Sequence, residues 1–219
     1  MSSQRRSLLR LERIIPHRAT REWVEALIIA LAVAVVFRTF LFAPFKIPSG
    51  SMIPTIRIGD HLFASKFSYG LPIPFIDARL FAQEVRRGDI VIFPYPLDPS
   101  VDYIKRVIGT GGETVEVRGR TVYIDGTPLD EPYAYYDPRI VKQFERRGQP
   151  LPDYGPVTVP EGKLFVMGDN RLNSADSRVW GFVDVDDVIG EGLIVYWSHD
   201  PRAGLLSGYR LGRIGTILE

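Results

Sequence analysis

The chain has 219 residues, of which 45% are hydrophobic and 24% charged, a composition that supports a folded core and excludes a disordered chain. It contains no cysteine, which excludes thiol catalysis, disulfide scaffolds and thiolate metal sites. The formal net charge of +1 averages over an asymmetric chain, because six arginines crowd the first 21 residues against a single acid, Glu12.

An apolar segment follows this basic stretch. From Trp23 to Phe45 only three side chains are charged or polar, and Ala26–Phe37 has none. The segment reaches the roughly 20 residues that a spanning helix needs if Arg38 extends toward the lipid headgroups. A buried core helix is one alternative. A cleavable secretory leader is another, which Pro44 and the lack of a small-x-small ending disfavour.

We therefore predict an uncleaved membrane anchor. The arginine excess before the apolar segment predicts that the N-terminus stays in the cytoplasm and that the rest of the chain lies outside. The predicted parts are a cytoplasmic N-terminus, a transmembrane anchor and an extracytoplasmic domain, at residues 1–21, 22–43 and 44–219.

The remainder of the chain has the pattern of an all-β domain. Short β-branched runs alternate with Gly, Pro and Asp, and no long 3.6-residue apolar period occurs. The predicted strands are Ile90–Phe93, Tyr103–Gly109, Glu113–Val117, Thr121–Ile124, Lys163–Met167 and Gly190–Trp197. The third and fourth of these form a predicted hairpin around Arg118-Gly119-Arg120. Seven prolines from Pro128 to Pro160 predict an irregular segment there, within a smaller variable lobe inserted at about residues 113–160.

Two serines flank a glycine just beyond the predicted anchor. Ser49-Gly50-Ser51 lies between Pro48 and Pro54, and such small residues and prolines permit a sharp, rigid loop. A loop of this kind presents a hydroxyl beside free backbone N–H groups, which is what a nucleophile next to an oxyanion site requires. An ordinary Ser/Gly/Pro turn is the alternative.

A serine nucleophile needs a base, and the histidines support one only weakly. They are His17, His61 and His199. A lysine can serve instead when burial lowers its pKa, as in Ser-Lys variants of the triad. Alternation along the predicted strand Tyr103–Gly109 puts Lys105 and Arg106 on opposite faces, so one of the two is desolvated. Lysine tolerates neutralisation and arginine does not, although both cations could instead extend to solvent at a sheet edge.

A third polar cluster begins at Gly168-Asp169-Asn170-Arg171. A hydroxyl such as Ser174 would orient the lysine amine, and Asp176 with Arg178 would brace the loop. The alternatives are a simple turn and a surface ion pair of little energetic value. No spacing in the chain indicates a metal site or a phosphate-binding loop.

Taken in order, these segments resemble the motif boxes of bacterial type I signal peptidases. The similar segments are Ile47–Met52, Pro54-Thr55, Gly59-Asp60, Lys66–Gly70, Arg87–Phe93, Tyr103–Gly109 and Gly168–Gly181. The resemblance implies a signal-peptidase-like β catalytic core with one N-terminal transmembrane helix and a variable second lobe. It implies a membrane-bound serine endopeptidase that removes signal peptides from exported proteins and cuts after small-x-small sites.

The resemblance also implies roles for individual residues. Ser51 is the nucleophile, Lys105 is the general base, and the Ser49 hydroxyl with the Ser51 N–H forms the oxyanion hole. The residues implied to support the site are Ser174, Asp176 and Arg178, and those implied to line the substrate pockets are Phe45, Ile47, Pro48, Met52 and Ile104. The implied partners are signal peptides and membrane lipid, and no nucleic acid, cofactor or metal is implied. The implied location is the bacterial cell (inner) membrane, which the chain crosses once.

Two other functions remain open from the sequence. A membrane-tethered β module would bind partners without chemistry, and its Ser51 and Lys105 would be replaceable. A self-cleaving regulatory protease would keep the same pair, although the predicted outward topology disfavours it.

Overall fold

The structure is a computed structural model that describes residues 22–32, 42–69, 71–72, 79–80, 83–204 and 207–218. The chain divides into two units, Met1–Leu41 and Phe42–Glu219.

In the first unit, residues 22–32 form helix α1, and all of its described side chains are exposed. No helix among the described residues is both long and apolar enough to cross a membrane. Residues 33–41 of the predicted anchor lie outside the described residues. Its last two positions, 42 and 43, belong to the first strand of the second unit.

The described part of the second unit is dominated by antiparallel strands, which confirms the prediction of a mostly β fold. The strands are β1 (Phe42–Lys46), β2 (Asp60–Ser65), β3 (Leu71–Pro72), β4 (Arg79–Leu80), β5 (Ile90–Tyr95), β6 (Asp98–Thr110), β7 (Thr114–Arg118), β8 (Thr121–Ile124), β9 (Thr127–Pro128), β10 (Tyr154–Thr158), β11 (Lys163–Met167), β12 (Val183–Asp184) and β13 (Gly190–Ser198). The helices are α2 (Pro138–Arg146) and α3 (Ser177–Trp180), with 3₁₀ turns at Val185–Asp187 and Leu211–Arg213.

Seven strands form the main sheet, in the order β1-β2-β13-β5-β6-β11-β12. The apolar run at the start of β5 is buried throughout, as expected of a central strand covered on both faces. Alternation sends Ile90 and Ile92 to one face and Val91 and Phe93 to the other, and each pair joins a separate core cluster. The sheet is therefore a rigid platform whose edge strand, β1, leads directly into the Ser49-Gly50-Ser51 loop.

Four further strands form a second sheet, in the order β10-β7-β8-β9. Its valines pack on Ile108 and Phe165 of the main sheet, so the two sheets share one core cluster. Strands β7 and β8 are the predicted hairpin, since Arg118 pairs with Thr121 across the turn. The two-sheet packing fixes this part of the chain against β6 and β11.

The description of residues 128–160 as irregular is wrong in two places. Helix α2 forms because Asp137 caps its N-terminus by accepting a hydrogen bond from the Arg139 N–H, and Pro138 stands at a first-turn position that tolerates proline. Strand β10 forms because it lies at the edge of its sheet, where Pro156 costs no inner ladder bond.

Each of the six predicted strands coincides with an observed strand, but seven of the described strands were not predicted from the residue pattern, among them β1 and β2 of the main sheet. The first two residues of β1, Phe42 and Ala43, were assigned to the end of the anchor because they continue the apolar run before them. Strand β2 was hidden because it buries polar side chains, Asp60 and Ser65, at its two ends. Strand β6 also begins at Asp98, five residues before its predicted start at Tyr103.

Candidate active site

The loop between β1 and β2 is closed at its neck by backbone hydrogen bonds. The Ile47 N–H donates to the Asp60 carbonyl and the Gly59 N–H donates to the Ile47 carbonyl, each at 2.9 Å. The Asp60 carboxylate is fully buried and accepts hydrogen bonds at 2.6 Å from the Ser198 hydroxyl and from the Arg213 guanidinium. Burial alone would raise the pKa of Asp60, but these donors outweigh it and lower the pKa. A buried, charged side chain, that of Asp60, therefore fixes one end of the loop.

The segment after β11 holds the loop from its other side. The Asn170 side-chain amide donates to the Gly50 carbonyl at 3.0 Å, and the Asn170 backbone N–H donates to the Ser51 carbonyl at 2.9 Å. The Thr55 hydroxyl donates to the Asp169 carboxylate at 2.5 Å. The residues on both sides of Ser51 are therefore fixed by one short segment.

Ser51 and Lys105, 54 positions apart, are brought into direct contact. Lys105 Nζ lies 3.0 Å from Ser51 Oγ and donates to the Ile104 carbonyl at 2.9 Å. The Tyr103 ring covers the amine, with its centroid 4.8 Å from Nζ. Lys105 is only 3% exposed and Ser51 8%, so bulk water has little access to the pair.

The surroundings of Lys105 favour its neutral form. Burial lowers the pKa of Lys105 from 10.5 to about 8, against the opposing effect of the Asp176 and Asp169 carboxylates, which raise it. A neutral amine has a lone pair that can accept the Ser51 proton. About a tenth of the enzyme then carries this form at a pH one unit below the pKa.

Arg106 is equally buried, on the opposite face of β6. Its guanidinium donates two hydrogen bonds of 2.9 Å to the Asp169 carboxylate and packs 3.9 Å from the centroid of the Tyr133 ring. The alternative in which both cations extend to solvent is wrong, because Arg106 is 1% exposed. Lys105 and Arg106 are therefore adjacent on β6, but only Arg106 is hydrogen-bonded to a carboxylate.

Among the residues predicted to support the site, Asp176 and Arg178 contact each other, whereas Ser174 makes no hydrogen bond to Lys105. Asp176 caps α3 and accepts hydrogen bonds from the Gly168 N–H at 3.0 Å and from the Arg178 guanidinium at 2.8 and 2.7 Å. Ser174 forms no hydrogen bond with Lys105, since its buried Oγ has no hydrogen-bond partner among the described residues. Its hydroxyl lies against Gly168 instead, at a point only 2.3 Å from where a Cβ of that residue would be.

A groove with a volume of about 300 Å³ opens beside Ser51. It is lined by Phe45, Lys46, Ile47, Pro48, Ser49, Gly50, Ser51, Ile92, Val101, Asp102, Tyr103, Ile104, Lys105, Asn173 and Ala175. Four of the five residues predicted to line substrate pockets are therefore at the groove. The fifth, Met52, is not among the lining residues. It is 1% exposed and packs in the core cluster beneath the loop, because the turn after Ser51 directs its side chain inward.

Several lining residues were not predicted from the sequence. Ile92 is the cross-strand partner of Ile104, a pairing that a β-sheet register would have revealed. Asn173 and Ala175 flank Ser174 in a segment already assigned to the site. Val101 and Asp102 were missed because β6 extends further toward its N-terminal end than predicted.

Together these features define a chemical class. A serine hydroxyl in contact with a buried amine of lowered pKa, in a groove with an apolar floor, is equipped for acyl transfer by a serine hydrolase. Residues 20–197 match the family model described as signal peptidase, peptidase S26. The chain belongs to this family and is a serine endopeptidase, whose activity is the removal of signal peptides.

Two relatives support this assignment by sequence. Signal peptidase I of Bacillus amyloliquefaciens is 42% identical over 184 residues, which cover 83% of this chain and 88% of that protein. The probable signal peptidase I-1 of Synechocystis sp. is 38% identical over 211 residues, covering 93% and 95%. A crystal structure of a signal peptidase I from Enterococcus faecalis V583 has a TM-score of 0.42 at 37% identity, covering 50% of this chain and 97% of that one. Membership in an enzyme family excludes the tethered module without chemistry.

Proposed function

We propose that Ser51 and Lys105 form the catalytic dyad of this endopeptidase. The observation that carries the proposal is the 3.0 Å contact between Ser51 Oγ and a lysine amine that is buried and has a lowered pKa. Neutral Lys105 takes the Ser51 proton as Oγ attacks the scissile carbonyl, and it returns that proton to the leaving amine. A water, deprotonated by the same amine, then attacks the acyl ester. As the ester bond to Ser51 breaks, the amine returns the proton to Ser51 Oγ and the acid product leaves.

The oxyanion that forms in each step is proposed to bind the Ser51 N–H and the Ser49 hydroxyl. Neither group has a hydrogen-bond partner among the described residues, so both are available to donate. Preorganised donors of this kind stabilise the charge that develops in the transition state.

The signal peptide is proposed to lie extended in the groove, beside the free edge of β1. The N–H and carbonyl of Ile47 both face β2. Because backbone groups alternate along a strand, the N–H and carbonyl of Lys46 and the carbonyl of Pro48 point toward the open edge. An added strand can hydrogen-bond there, and its alternate side chains then face the groove floor. Ile47, Ile92 and Ile104 limit the depth of that floor, which supports selection for small side chains at two alternate positions.

We further propose that the chain is anchored in the bacterial cell (inner) membrane. The anchor would begin near residue 22 and end before β1, with residues 1–21 cytoplasmic and the β domain outside. Five large apolar side chains of α1 support this, since each is at least 60% exposed: Trp23, Leu27, Ile28, Ile29 and Leu31. Membrane lipid and the signal peptides of exported preproteins are then the partners. Extraction at alkaline pH tests the anchor, because an anchored chain stays with the membrane pellet.

The dyad is tested by purifying the full chain in detergent and supplying a precursor with an Ala-x-Ala leader. The parent should cut after the second alanine, and Ser51→Ala and Lys105→Ala should each lose essentially all cleavage while retaining the circular dichroism of the parent. Cleavage by either folded variant at the parental rate would show that the dyad is wrongly assigned.

A further inference from the structure

We infer that Asn170 is a positioning residue for the oxyanion site: its side-chain amide holds the Gly50 carbonyl and so directs the Ser51 N–H into the groove. The inference rests on the proposed function, because it concerns the N–H assigned to the oxyanion. Asn170 touches no reacting atom in this account. It acts through the peptide unit between Gly50 and Ser51.

The geometry of that peptide unit carries the argument. A peptide bond is planar and trans, so the carbonyl of Gly50 and the N–H of Ser51 point in opposite directions from the same rigid plane. Asn170 Nδ2 donates to that carbonyl at 3.0 Å, and the Ile53 N–H donates to it at the longer distance of 3.3 Å, so Asn170 makes the shorter of the two bonds that fix the rotation of the plane. The Asn170 backbone N–H also donates at 2.9 Å to the Ser51 carbonyl, which fixes the next plane. One residue therefore sets both planes that flank the nucleophile.

Asn170 can impose this geometry because it is itself held rigidly. It is 3% exposed, and the residues on either side of it form buried ion pairs, Asp169 with Arg106 and Arg171 with Glu131. The backbone on both sides of Asn170 is tied to Tyr135, which donates its N–H to the Asp169 carbonyl at 2.7 Å and accepts from the Arg171 N–H at 2.9 Å. The two buried ion pairs therefore hold the backbone on both sides of Asn170, and this keeps its side-chain amide in place at the active site.

The assignment of the amide atoms is fixed by the same contact. If the oxygen faced the Gly50 carbonyl, two acceptors would be in contact, so the nitrogen must face it. The variant Asn170→Asp imposes that unfavourable arrangement at constant size, because it replaces the Nδ2 donor by an oxygen and leaves the backbone N–H in place. Asn170→Ala removes the donor without repulsion. Gln143→Glu, an equivalent amide-to-carboxyl change at an exposed position of α2, is the matched control.

The experiment measures kcat and KM for the leader precursor in detergent, with parent, Ser51→Ala and these three variants. Loss of one oxyanion donor lowers kcat by about 10²- to 10³-fold. We expect kcat to fall about 100-fold in Asn170→Asp and about tenfold in Asn170→Ala, with KM changed less than about threefold and with Gln143→Glu like the parent.

A pair of peptide inhibitors separates this role from general support of the loop. A leader-like peptide aldehyde forms a hemiacetal when Ser51 Oγ adds to its carbonyl carbon: the C=O π bond opens, the Ser51 proton passes through Lys105 to the former carbonyl oxygen, and that oxygen occupies the oxyanion site. The matching peptide alcohol has no carbonyl and binds only the groove. Aldehyde affinity should fall in each Asn170 variant by the same factor as kcat, while alcohol affinity stays at the parental value.

Three outcomes would overturn the inference. In the first, folded Asn170→Ala and Asn170→Asp cleave at the parental rate. In the second, aldehyde and alcohol affinities fall together, which means that Asn170 supports the whole groove. In the third, Asn170→Ala is unfolded while folded Asn170→Asp retains parental kcat. Failure of the proposed function is distinct, since Ser51→Ala would then cleave as the parent does.

Discussion

Replacing Lys105 by methionine should alter stability in a way that depends on pH. Methionine fills nearly the same volume but has no proton to gain or lose. The pKa of Lys105 is lowered from 10.5 to about 8, so the folded state opposes protonation of this amine more than the unfolded state does. The buried lysine is therefore expected to destabilise the fold wherever it must carry a charge.

The size of this effect can be worked out from the pKa shift. A shift of this size corresponds to about 3 kcal/mol, because one pKa unit is about 1.4 kcal/mol. Between the two pKa values the unfolded chain binds a proton that the folded chain does not, so the stability of the parent rises with pH in that window. At pH values below the folded pKa the amine is charged in both the folded and the unfolded chain, so the full cost of burying the charge lowers the stability. From about pH 7 to about pH 9.5 the parent should gain about 2 kcal/mol that Lys105→Met does not.

Urea unfolding at these two pH values, followed by tryptophan fluorescence, measures the change. The methionine also leaves the Ser51 hydroxyl and the Ile104 carbonyl without the amine, but this loss is common to both pH values and cancels in the comparison. Lys142→Met is the control, because Lys142 is exposed on α2 and should give the same difference from the parent at both pH values. If the free energy of unfolding of Lys105→Met differs from that of the parent by the same amount at both pH values, the idea that burial destabilises the charged amine is refuted.

Three further predictions concern the groove and its supports. The pH–rate profile of kcat/KM should rise through a pKa of about 8 and reach a plateau above it, whereas an unperturbed lysine would place the rise near 10.5. Gly168→Ala should lower kcat about 100-fold in the precursor assay, because its Cβ would lie 2.5 Å from the Ser51 carbonyl oxygen, and Gly212→Ala, with nothing within 4 Å, should be neutral. Asp60→Ala should cost about 3–5 kcal/mol in urea unfolding because it leaves Arg213 without its carboxylate. Since the pKa of folded Asp60 is lowered, its stabilising contribution is present above the unfolded value of 3.8 and is lost as the pH falls through the folded pKa.

Those features of the site that depend on local pattern were predictable from the sequence. Alternation along one strand is a property of neighbouring residues, and it placed Lys105 and Arg106 on opposite faces of β6. The capping of α3 by Asp176 and its contact with Arg178 likewise involve residues two apart.

Features that depend on long-range packing were not predictable in this way. The side chain of Met52 is buried in a core cluster with residues far away in the chain, such as Ile90 and Val195. Ser174 was expected to bond to the amine, but its hydroxyl lies next to Gly168 and has no hydrogen-bond partner among the described residues. Strand β2 escaped detection because its first residue, Asp60, is buried through Ser198 and Arg213, near the other end of the chain.

The buried ion pair beside the dyad also explains why Lys105 can be neutral at all. The Asp176 and Asp169 carboxylates raise the pKa of Lys105, and a carboxylate in direct contact with the amine would hold it protonated. Both oxygens of Asp169 instead accept hydrogen bonds from Arg106, which cannot release its proton. The hydrogen bonds of the Lys105 amine go to neutral oxygens, those of Ser51 and Ile104. Placing an arginine next to the lysine on the strand therefore pairs the Asp169 carboxylate on the other face and leaves the amine free to act as a base.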